Sequence, residues 1–392
     1  MRLKNLFEMA DNKQNPFVVS GKIPNEYFCD RETEVQKLLH SLTNGNNVVL
    51  ISPRRMGKTG LIHHCYDNEC ISNDFYTFFV DILHTSDLRE MTYNLGRSIY
   101  KELVPKGKRM VKGFVQTLKS LSGKFSIDAL NGSPSFGLEM GDIANPELTL
   151  EEIFSYLEHA NKPCIMSIDE FQQISHYPEK NIEALLRSHI QNIQNCRFVF
   201  AGSERSIMQE MFTSSARPFY QSADILELNE IPFVKYDDFV KRLFAENHRL
   251  VDTDTIRYVY DMFSGHTFYM QKVFNEVFSC TDKGKTCTKA TIDAAIDYIL
   301  GEKETTYKEI LSAISDKQKP LLYAIAGEGS ATHVSSMAFV KRHNLQSASS
   351  TQSAIKQLLS QNIITEVHKV YSVADKFFAL WINRIYNESS LK

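Results

Sequence analysis

Several features that would place the chain in a common class are scarce or missing. The seven cysteines include no C-x-x-C pair and are odd in number, so neither a disulfide framework nor a structural zinc site is expected, and a reducing compartment is indicated. No apolar run approaches the roughly 20 residues that cross a bilayer, and the N-terminal residues MRLKNLFEMADNKQNPF lack the apolar core of a signal peptide. These absences predict a soluble cytoplasmic protein with no membrane partner.

Strong net charge is also absent. The chain has 44 Lys or Arg and 47 Asp or Glu, a formal balance of -3. Such a balance gives no overall attraction to nucleic acid or to membranes, so a partner of either kind would have to bind a local patch. The 392 residues, 43% of them hydrophobic, exceed the length at which single cores stop growing, and two or three domains are expected.

What the sequence does contain is a phosphate-binding loop. SPRRMGKT at 52–59 follows the apolar run 48–51, precedes a helix-forming run, and matches G-x-x-x-x-G-K-[ST] everywhere except at Ser52. Gly57 allows the backbone to approach phosphate closely, Lys58 can reach the β- and γ-phosphates, and the Thr59 hydroxyl suits the octahedral shell of Mg²⁺. A chance match is disfavoured because strand, loop and helix come in the required order. The predicted cradle comprises Ser52, Pro53, Arg54, Arg55, Met56, Gly57, Lys58, Thr59 and Gly60.

An acidic pair follows a second apolar run. Residues 164–168 read CIMSI and are followed by Asp169 and Glu170. Because the carboxyl ends of parallel strands open into the ligand crevice, Asp169 would hold the Mg²⁺ shell and Glu170 would polarise the attacking water. Two adjacent carboxylates therefore predict hydrolysis as well as binding. The alternative is that the pair caps a helix beginning near Phe171.

Strand-like and helix-like segments alternate up to about residue 230, which is typical of a parallel sheet covered on both faces. The predicted strands are Val48–Ile51, Tyr76–Ile82, Cys164–Ile168, Phe198–Ala201 and Ile225–Leu228. The segment 103–148 departs from this alternation. It carries a basic helical stretch with Lys106, Lys108, Arg109 and Lys112, and then a hairpin of 125–130 with 135–140 across the turn 131–134. Either it is a partner-binding or nucleic-acid-binding arm, or it is a solvated helix face with an edge hairpin, and the second interpretation is favoured.

The rest of the chain predicts two further domains. Apolar residues three and four apart between 233 and 311 indicate a helical lid. Residues 315–381 then show helix, helix and two short strands, the order of a winged helix. Its second helix, 349–360, has Lys356 as its one cation, and residues 316–392 hold nine Lys or Arg against five Asp or Glu, a balance of +4. DNA binding and a packing or autoinhibitory role both remain open for this domain.

Taken together, these motifs resemble the archaeal-type ATPase family within the STAND class of P-loop NTPases, relatives of AAA+ proteins. The resemblance covers nearly the whole chain, including a D-x-x-F-x-x-W ending at Asp375, Phe378 and Trp381. With the β-strand segment 198–201 between the phosphate-loop strand and the Asp-Glu strand, it implies the order 5-1-4-3-2. The segments that carry it are NPF, Phe28-Cys29-Asp30-Arg31-Glu32 with Glu34, SPRRMGKT, Ile168-Asp169-Glu170-Phe171, Ala201-Gly202-Ser203 and Arg217-Pro218-Phe219-Tyr220.

The resemblance implies roles for further residues. Phe28 and Arg31, with Tyr27, would line or flank the adenine pocket, although Arg31 also fits the start of a helix. Ser203 matches a position that senses the γ-phosphate, with helix capping as the alternative. Arg217 matches an arginine finger acting in trans, which implies a homo-oligomer; its alternative is an ion pair with a structural carboxylate. The lid segment 265–267 lacks the proline of the expected G-x-P. His266 there is interpreted as a capping or packing residue, with a place near the phosphates as the alternative.

The sequence therefore predicts an α/β P-loop NTPase of AAA+/STAND type with an ATPase domain at 15–230, a helical lid at 231–312 and a winged helix at 313–392. The expected function is a Mg²⁺-dependent, slow or partner-stimulated ATPase switch that binds ATP and ADP and couples nucleotide state to the lid and winged helix. The alternative is a nucleotide-dependent regulator that binds DNA through the winged helix.

Overall fold

The computed structural model describes residues 15–121, 126–127, 134–135, 139–367 and 369–390. The chain forms two compact units, one of Lys22–Glu230 and one of the residues from Ile231 onward together with the segment before Lys22. In the described ranges, no helix is both long enough and apolar enough to cross a membrane.

The unit Lys22–Glu230 consists of strands and helices that largely alternate. Its strands are β1 Val48–Ile51, β2 Tyr76–Asp81, β3 Ser126–Ile127, β4 Pro134–Ser135, β5 Cys164–Asp169, β6 Cys196–Gly202 and β7 Asp224–Glu227. Its helices are α1 Glu32–Thr43, α2 Lys58–Tyr66, α3 Glu69–Ser72, α4 Leu88–Leu103, α5 Lys108–Thr117, α6 Pro146–Glu158, α7 Ile182–Ile190 and α8 Arg205–Thr213.

Five of these strands form one parallel sheet in the order β2-β5-β6-β1-β7. Counted along the chain, this is the order 5-1-4-3-2 and confirms the prediction. β1 and β5 are buried along their whole length, including the polar Ser167 and Asp169 of β5, as is typical of parallel strands covered on both faces. The register places Ile51 beside Gly202 and Asp81 beside Asp169, so the carboxyl ends of four strands meet at one edge.

Helices pack on both faces of this sheet. One face is filled by an aromatic cluster in which the ring of Phe171 contacts Phe200, Phe212 and Phe219. The other face packs against α1 and α2 through buried residues such as Leu38 and Leu61. Residues just past the strand ends are thereby fixed on both sides, which positions the site described below.

The segment between β2 and β5 contains α5 and a short antiparallel ladder of β3 with β4. Ser126 pairs with Ser135, and Ile127 pairs with Pro134. Pro134, which the sequence places in the turn, therefore belongs to a strand, because its ring is tolerated at the end of an edge ladder. Hairpin positions 125, 128–133 and 136–138 lie outside the described residues. The last two predicted strand positions are wrong, because Glu139 caps and Met140 begins the 3-10 helix Met140–Asp142.

The second unit is mainly helical. Its lid elements are α9 Phe233–Glu246, β8 Leu250–Val251, α10 Thr253–Phe263, α11 Thr267–Cys280, β9 Thr286–Cys287 and α12 Lys289–Ala313. Its C-terminal elements are α13 Lys319–Glu328, β10 Ala331–Thr332, α14 Met337–Arg342, α15 Ala348–Ser360, β11 Ile364–Val367, β12 Val370–Val373 and α16 Lys376–Ser390. The sheet β10-β12-β11 behind α15 confirms the winged helix and adds a strand and a helix, β10 and α14, that the sequence does not predict.

Lid and winged helix share a packed boundary within this unit. The Tyr269 hydroxyl donates to Ala374 O at 3.2 Å, and the rings of Phe263 and Tyr269 contact Phe377. One turn further along α16, Tyr307 contacts Trp381. These buried aromatic contacts join the winged helix to the lid through the residues of its D-x-x-F-x-x-W segment.

The NPF segment also packs in the second unit. Phe17 is fully buried among aromatic side chains of α9 and α11. Asn15 donates to Asn275 O at 2.8 Å, and the Asn275 amide donates to Phe17 O at 2.7 Å. The division into domains at 15–230, 231–312 and 313–392 stays a prediction.

Candidate functional site

The loop after β1 continues the sheet for one residue and then curls back. Ser52 N donates to Gly202 O at 3.3 Å, and the buried Ser52 hydroxyl donates to Pro53 O at 3.0 Å. Arg55 and Gly57 both have left-handed backbone conformations, with φ of 68° and 94°. A Cβ on Gly57 would meet no described atom within 4 Å, so its backbone conformation, and not space, calls for glycine. The side chain of Ser52 fits because its hydroxyl bonds the loop itself.

Lys58 begins α2 directly after this turn. The residue is 6% exposed, and its ammonium donates to Ser52 O at 3.3 Å, so the side chain folds back over the loop. Burial lowers the pKa of Lys58, while the nearby carboxylates of Glu170 and Asp169 act in the opposite direction. A phosphate oxygen would offer this cation a stronger partner than a backbone carbonyl.

Thr59 and Asp169 meet at the end of β5. The Thr59 hydroxyl donates to Asp169 Oδ2 at 2.8 Å, and Asp169 is 5% exposed. Burial raises the pKa of Asp169, although the Thr59 hydrogen bond and the charge of Lys58 favour its ionised form. A hydroxyl and a carboxylate in contact are hard oxygen donors of the kind that Mg²⁺ takes. Among the described residues, no group of three or more His, Cys, Asp or Glu is arranged to hold a metal ion, so a cation at Thr59 and Asp169 would take further ligands from phosphate and water.

Glu170 occupies a left-handed backbone position with φ of 55°. Its Oε2 accepts a hydrogen bond from the Ser203 hydroxyl at 2.5 Å and another from the Gln172 amide at 2.6 Å. Burial acts to raise the pKa of Glu170, but the charge of Lys58 and these hydrogen bonds outweigh it and lower the pKa, with Arg54 adding to the effect. The ionised carboxylate is therefore favoured, as a general base requires. Glu170 stands at the N-cap position of the short 3-10 helix 171–176, but its side chain makes no capping hydrogen bond there.

The two predicted adenine-side residues lie in different places, Phe28 beside α2 and Arg31 at the start of α1. The Phe28 ring stacks on His64 with centroids 4.1 Å apart, and its edge lies 3.7 Å from where a Cβ of Gly60 would be. Arg31 is 4% exposed at the N-cap of α1 with φ of 87°, and it donates to Glu34 at 3.0 Å. Its Nη2 is buried and has no hydrogen-bond partner among the described residues. Phe28 therefore lies next to α2, the helix that follows the phosphate loop, while Arg31 precedes the first residue of α1.

Arg217 and His266 are not brought to the loop by any described contact. Arg217 lies 2.6 Å from Glu183 on α7 and 3.6 Å from Glu210 on α8, which is the ion pairing weighed above as its alternative. His266 is the N-cap residue of α11 in the second unit, with Nδ1 3.0 Å from Phe263 O. Both contacts stabilise local structure.

Sequence reasoning missed Gln172. The residue is 1% exposed, contacts Glu170, and has its amide 3.4 Å from the Ser203 hydroxyl. The available clue is the polar pair Gln172-Gln173 between the apolar residues Phe171 and Ile174, where a turn would return Gln172 to the carboxylate.

Comparisons with known proteins agree with this geometry. A family model described as an ATPase domain predominantly from Archaea matches residues 28–273, and one described as a probable winged helix domain matches residues 305–384. No curated protein matches the sequence.

Solved structures of similar fold include a Walker-type ATPase of Pyrococcus abyssi, with a TM-score of 0.64 and 18% identity over 94% of this chain and 99% of that chain. They also include the ORC2 protein of Aeropyrum pernix in ADPNP–ADP complexes, with a TM-score of 0.57 and 13% identity over 97% and 99% of the two chains. A third is the ORC1 protein of Aeropyrum pernix in complex with DNA, with a TM-score of 0.52 and 12% identity over 97% of this chain and 98% of that chain. At these identities the likeness is one of fold.

Proposed function

Since this chain belongs to the family of ATPase domains found predominantly in Archaea, we propose that it is a Mg²⁺-dependent ATP-hydrolysing switch of the STAND type. In this proposal ATP binds at the loop 52–59, and its hydrolysis is coupled to a joint movement of the lid and winged helix. Such a change requires that the two nucleotide states differ in their contacts with the protein.

The observation that carries the proposal is the contact between Thr59 and Asp169 beside the buried Lys58. The Thr59–Asp169 hydrogen bond of 2.8 Å joins the start of α2 to the end of β5. Lys58 projects a cation from the same turn, and Glu170 follows Asp169 directly. Phosphate binding, cation binding and water activation therefore have their side chains within one edge of the sheet.

Each of these residues has a defined part in hydrolysis. Lys58 would exchange the Ser52 carbonyl for oxygens of the β- and γ-phosphates, and Thr59 and Asp169 would hold Mg²⁺. When bound, the ion neutralises charge on the phosphates. Glu170 takes a proton from the water that attacks the γ-phosphorus, while the Ser203 hydroxyl holds the Glu170 carboxylate.

The contacts between the lid and the winged helix support a switch in which these two domains move as one body. Tyr269 and Phe377 connect the two through buried ring contacts, and Tyr269 also donates to Ala374 O at 3.2 Å. Packed aromatic boundaries of this kind resist partial separation. We therefore infer that nucleotide state acts on lid and winged helix together, and not on the angle between them.

Phosphate release by the wild type and Lys58→Ala tests the proposed function, with binding of a fluorescent ATP analogue measured alongside. We expect Mg²⁺-dependent turnover by the wild type and the loss of both binding and turnover in Lys58→Ala. If the wild-type protein binds the analogue but releases no phosphate, alone or with added partners, the chain binds nucleotide but is not an ATPase.

Nucleic-acid binding is a second candidate function, favoured by one observation. Six basic side chains between residues 101 and 119 are exposed, and Glu102 is the one acidic residue of that segment. Val111 and Phe114 bury the opposite face of α5, which fixes the direction of its basic face. The exposed basic residues are Lys101, Lys106, Lys108, Arg109, Lys112 and Lys119.

The winged helix concentrates fewer cations on one helix, since α15 carries Lys356 alone. Arg342 pairs with Glu328 at 2.9 Å, and Lys319 pairs with Asp316 at 2.8 Å. A similar fold occurs in an ORC1 protein solved with DNA. If this chain binds nucleic acid, we propose that the basic face of α5 contributes more to the affinity than α15 does.

A further inference from the structure

We propose that Gln172 is a positioning residue, which holds Glu170 in the orientation that activates water. The inference rests on the proposed ATPase function and deepens it, because it names the group that orients the base. Gln172 itself touches neither the phosphate loop nor Thr59 through any contact of the described residues, so its effect passes through Glu170.

The hydrogen bonds give Gln172 a specific task. Its Nε2 donates to Glu170 Oε2 at 2.6 Å and lies 3.4 Å from the Ser203 hydroxyl, which donates to the same oxygen at 2.5 Å. Two donors on Oε2 fix the plane of the carboxylate. They leave Oε1 of Glu170 as the oxygen that accepts the proton of the attacking water.

The backbone explains how Gln172 reaches its neighbour. Glu170 has φ of 55°, and Gln173 N donates to Glu170 O at 2.9 Å, so the chain turns tightly into the 3-10 helix 171–176. That turn brings the amide of Gln172 back to the side chain two residues earlier. A left-handed conformation at a residue other than glycine is uncommon and is typically retained where the site requires it.

Gly202 makes the room for this arrangement. A Cβ on Gly202 would lie 2.7 Å from Gln172 Oε1 and 2.5 Å from Met208 Cγ. The amide therefore packs against a bare backbone at the end of β6, one residue before Ser203. Any larger residue at 202 would push Gln172 away from Glu170.

One atom of the Gln172 amide destabilises the folded protein. Gln172 Oε1 is buried and has no hydrogen-bond donor among the described residues. A buried acceptor without a donor destabilises a folded protein, and methionine would fill the same space without that penalty. A glutamine in this place is accounted for by its bond to Glu170, and the two roles can be separated by experiment.

The test compares Gln172→Met with the matched control Gln173→Met. Gln173 is the next residue in the same 3-10 helix, and its amide donates to Thr85 O at 2.9 Å, away from Glu170. Measurements are kcat and KM for ATP, the affinity for a fluorescent ATP analogue with Mg²⁺, and the thermal midpoint. We expect kcat of Gln172→Met to fall at least tenfold, with KM and analogue affinity within twofold of wild type and the midpoint unchanged or raised. Gln173→Met should keep the wild-type kcat.

Three results would overturn the positioning role. They are a kcat of Gln172→Met within twofold of wild type, a loss of kcat that is matched by Gln173→Met, and a loss of kcat that comes with an equal loss of analogue affinity. If Gln172→Met does not fold, Gln172→Glu keeps the shape and places a second carboxylate against Glu170, and the same kcat loss at unchanged affinity is expected. A wild type without turnover would instead refute the proposed function itself, so the two failures are distinguishable.

Discussion

Thr59 and Asp169 are separated by 110 residues, yet the hydroxyl of one donates to the carboxylate of the other at 2.8 Å. Parallel pairing makes this contact, because β1 and β5 flank β6 and end at the same edge. The start of α2 is therefore held against the end of β5 before any ligand arrives. A preformed pair of oxygen donors lowers the ordering required when a cation binds.

Thr59→Val tests that pair with little change in shape. Removing the hydroxyl takes one oxygen from the proposed Mg²⁺ shell, and we expect Mg²⁺ to increase ATP affinity roughly tenfold less than in the wild type. Isothermal titration of ATP with Mg²⁺ and with EDTA measures the difference. Thr43→Val, whose hydroxyl bonds Leu39 O within α1, is the control. Equal gains from Mg²⁺ in all three proteins would contradict the assignment.

Gly57→Ala tests the backbone of the phosphate loop. The residue has φ of 94°, and a Cβ there would meet nothing described within 4 Å. We therefore expect a purely conformational loss of about 1–2 kcal/mol in the free energy of unfolding, seen in urea denaturation. Gly113→Ala is the matched control, since it lies in α5 with equally open space. Alanine favours the helix there, and stability should rise by about 0.5–1 kcal/mol.

Arg217→Ala tests whether the residue acts in a neighbouring subunit or in an ion pair. Burial raises the pKa of Glu183, and the charge of Arg217 acts against that rise. In the unfolded chain a glutamate loses its proton near pH 4.5, whereas folded Glu183 holds its proton to a higher pH. As pH increases above about 4.5, the unfolded state is therefore favoured and the folded protein becomes less stable. Removing Arg217 takes away the charge that lowers the pKa of Glu183, so the loss of stability with increasing pH becomes larger.

Arg217→Ala should therefore lose more thermal stability at pH 7 than at pH 5. Its ATP turnover per chain should match wild type across a range of protein concentrations. Turnover that rises with concentration in the wild type and is lost in Arg217→Ala would establish the finger in trans and an oligomeric state.

Charge reversal on α5 tests the second candidate function. Arg109→Glu with Lys112→Glu should weaken binding to a fluorescent DNA duplex at least tenfold and reduce the slope of log affinity against log salt by about 2. Lys341→Glu with Lys356→Glu is the comparison in the winged helix, and a smaller effect is expected there. A larger effect in the winged helix would reverse the proposal, and no wild-type binding at low salt would remove this function.

Sequence patterns predicted the parts of the site that depend on local order along the chain. A strand, a loop and a helix at 48–66 and an acidic pair after 164–168 are enough to place Lys58, Thr59 and Asp169 at one sheet edge. The contacts of Gln172 and Arg217 depend on which side chains arrive from distant elements, such as Ser203 and Glu183. Neither the hydrophobic periodicity of a segment nor a sequence motif indicates which distant side chain will contact a residue.

The same reason explains the position of the NPF segment. Phe17 lies only five residues before Lys22, where the first unit begins, but its ring is buried among aromatic residues of α9 and α11. Proximity in sequence favours the first unit, whereas the complementary apolar surface exists in the second. Burial of a large aromatic ring outweighs the short connection.

Single-turnover analysis of Glu170→Gln is the most direct test of the central claim, that Glu170 is the base of an ATPase site. Labelled ATP is bound in excess protein with Mg²⁺, and the ratio of ADP to ATP is followed with time. Glutamine keeps the shape but accepts no proton, so we expect ATP to bind with wild-type affinity and to stay unhydrolysed while the wild type converts it. Conversion of the bound ATP by Glu170→Gln at the wild-type rate would contradict the account.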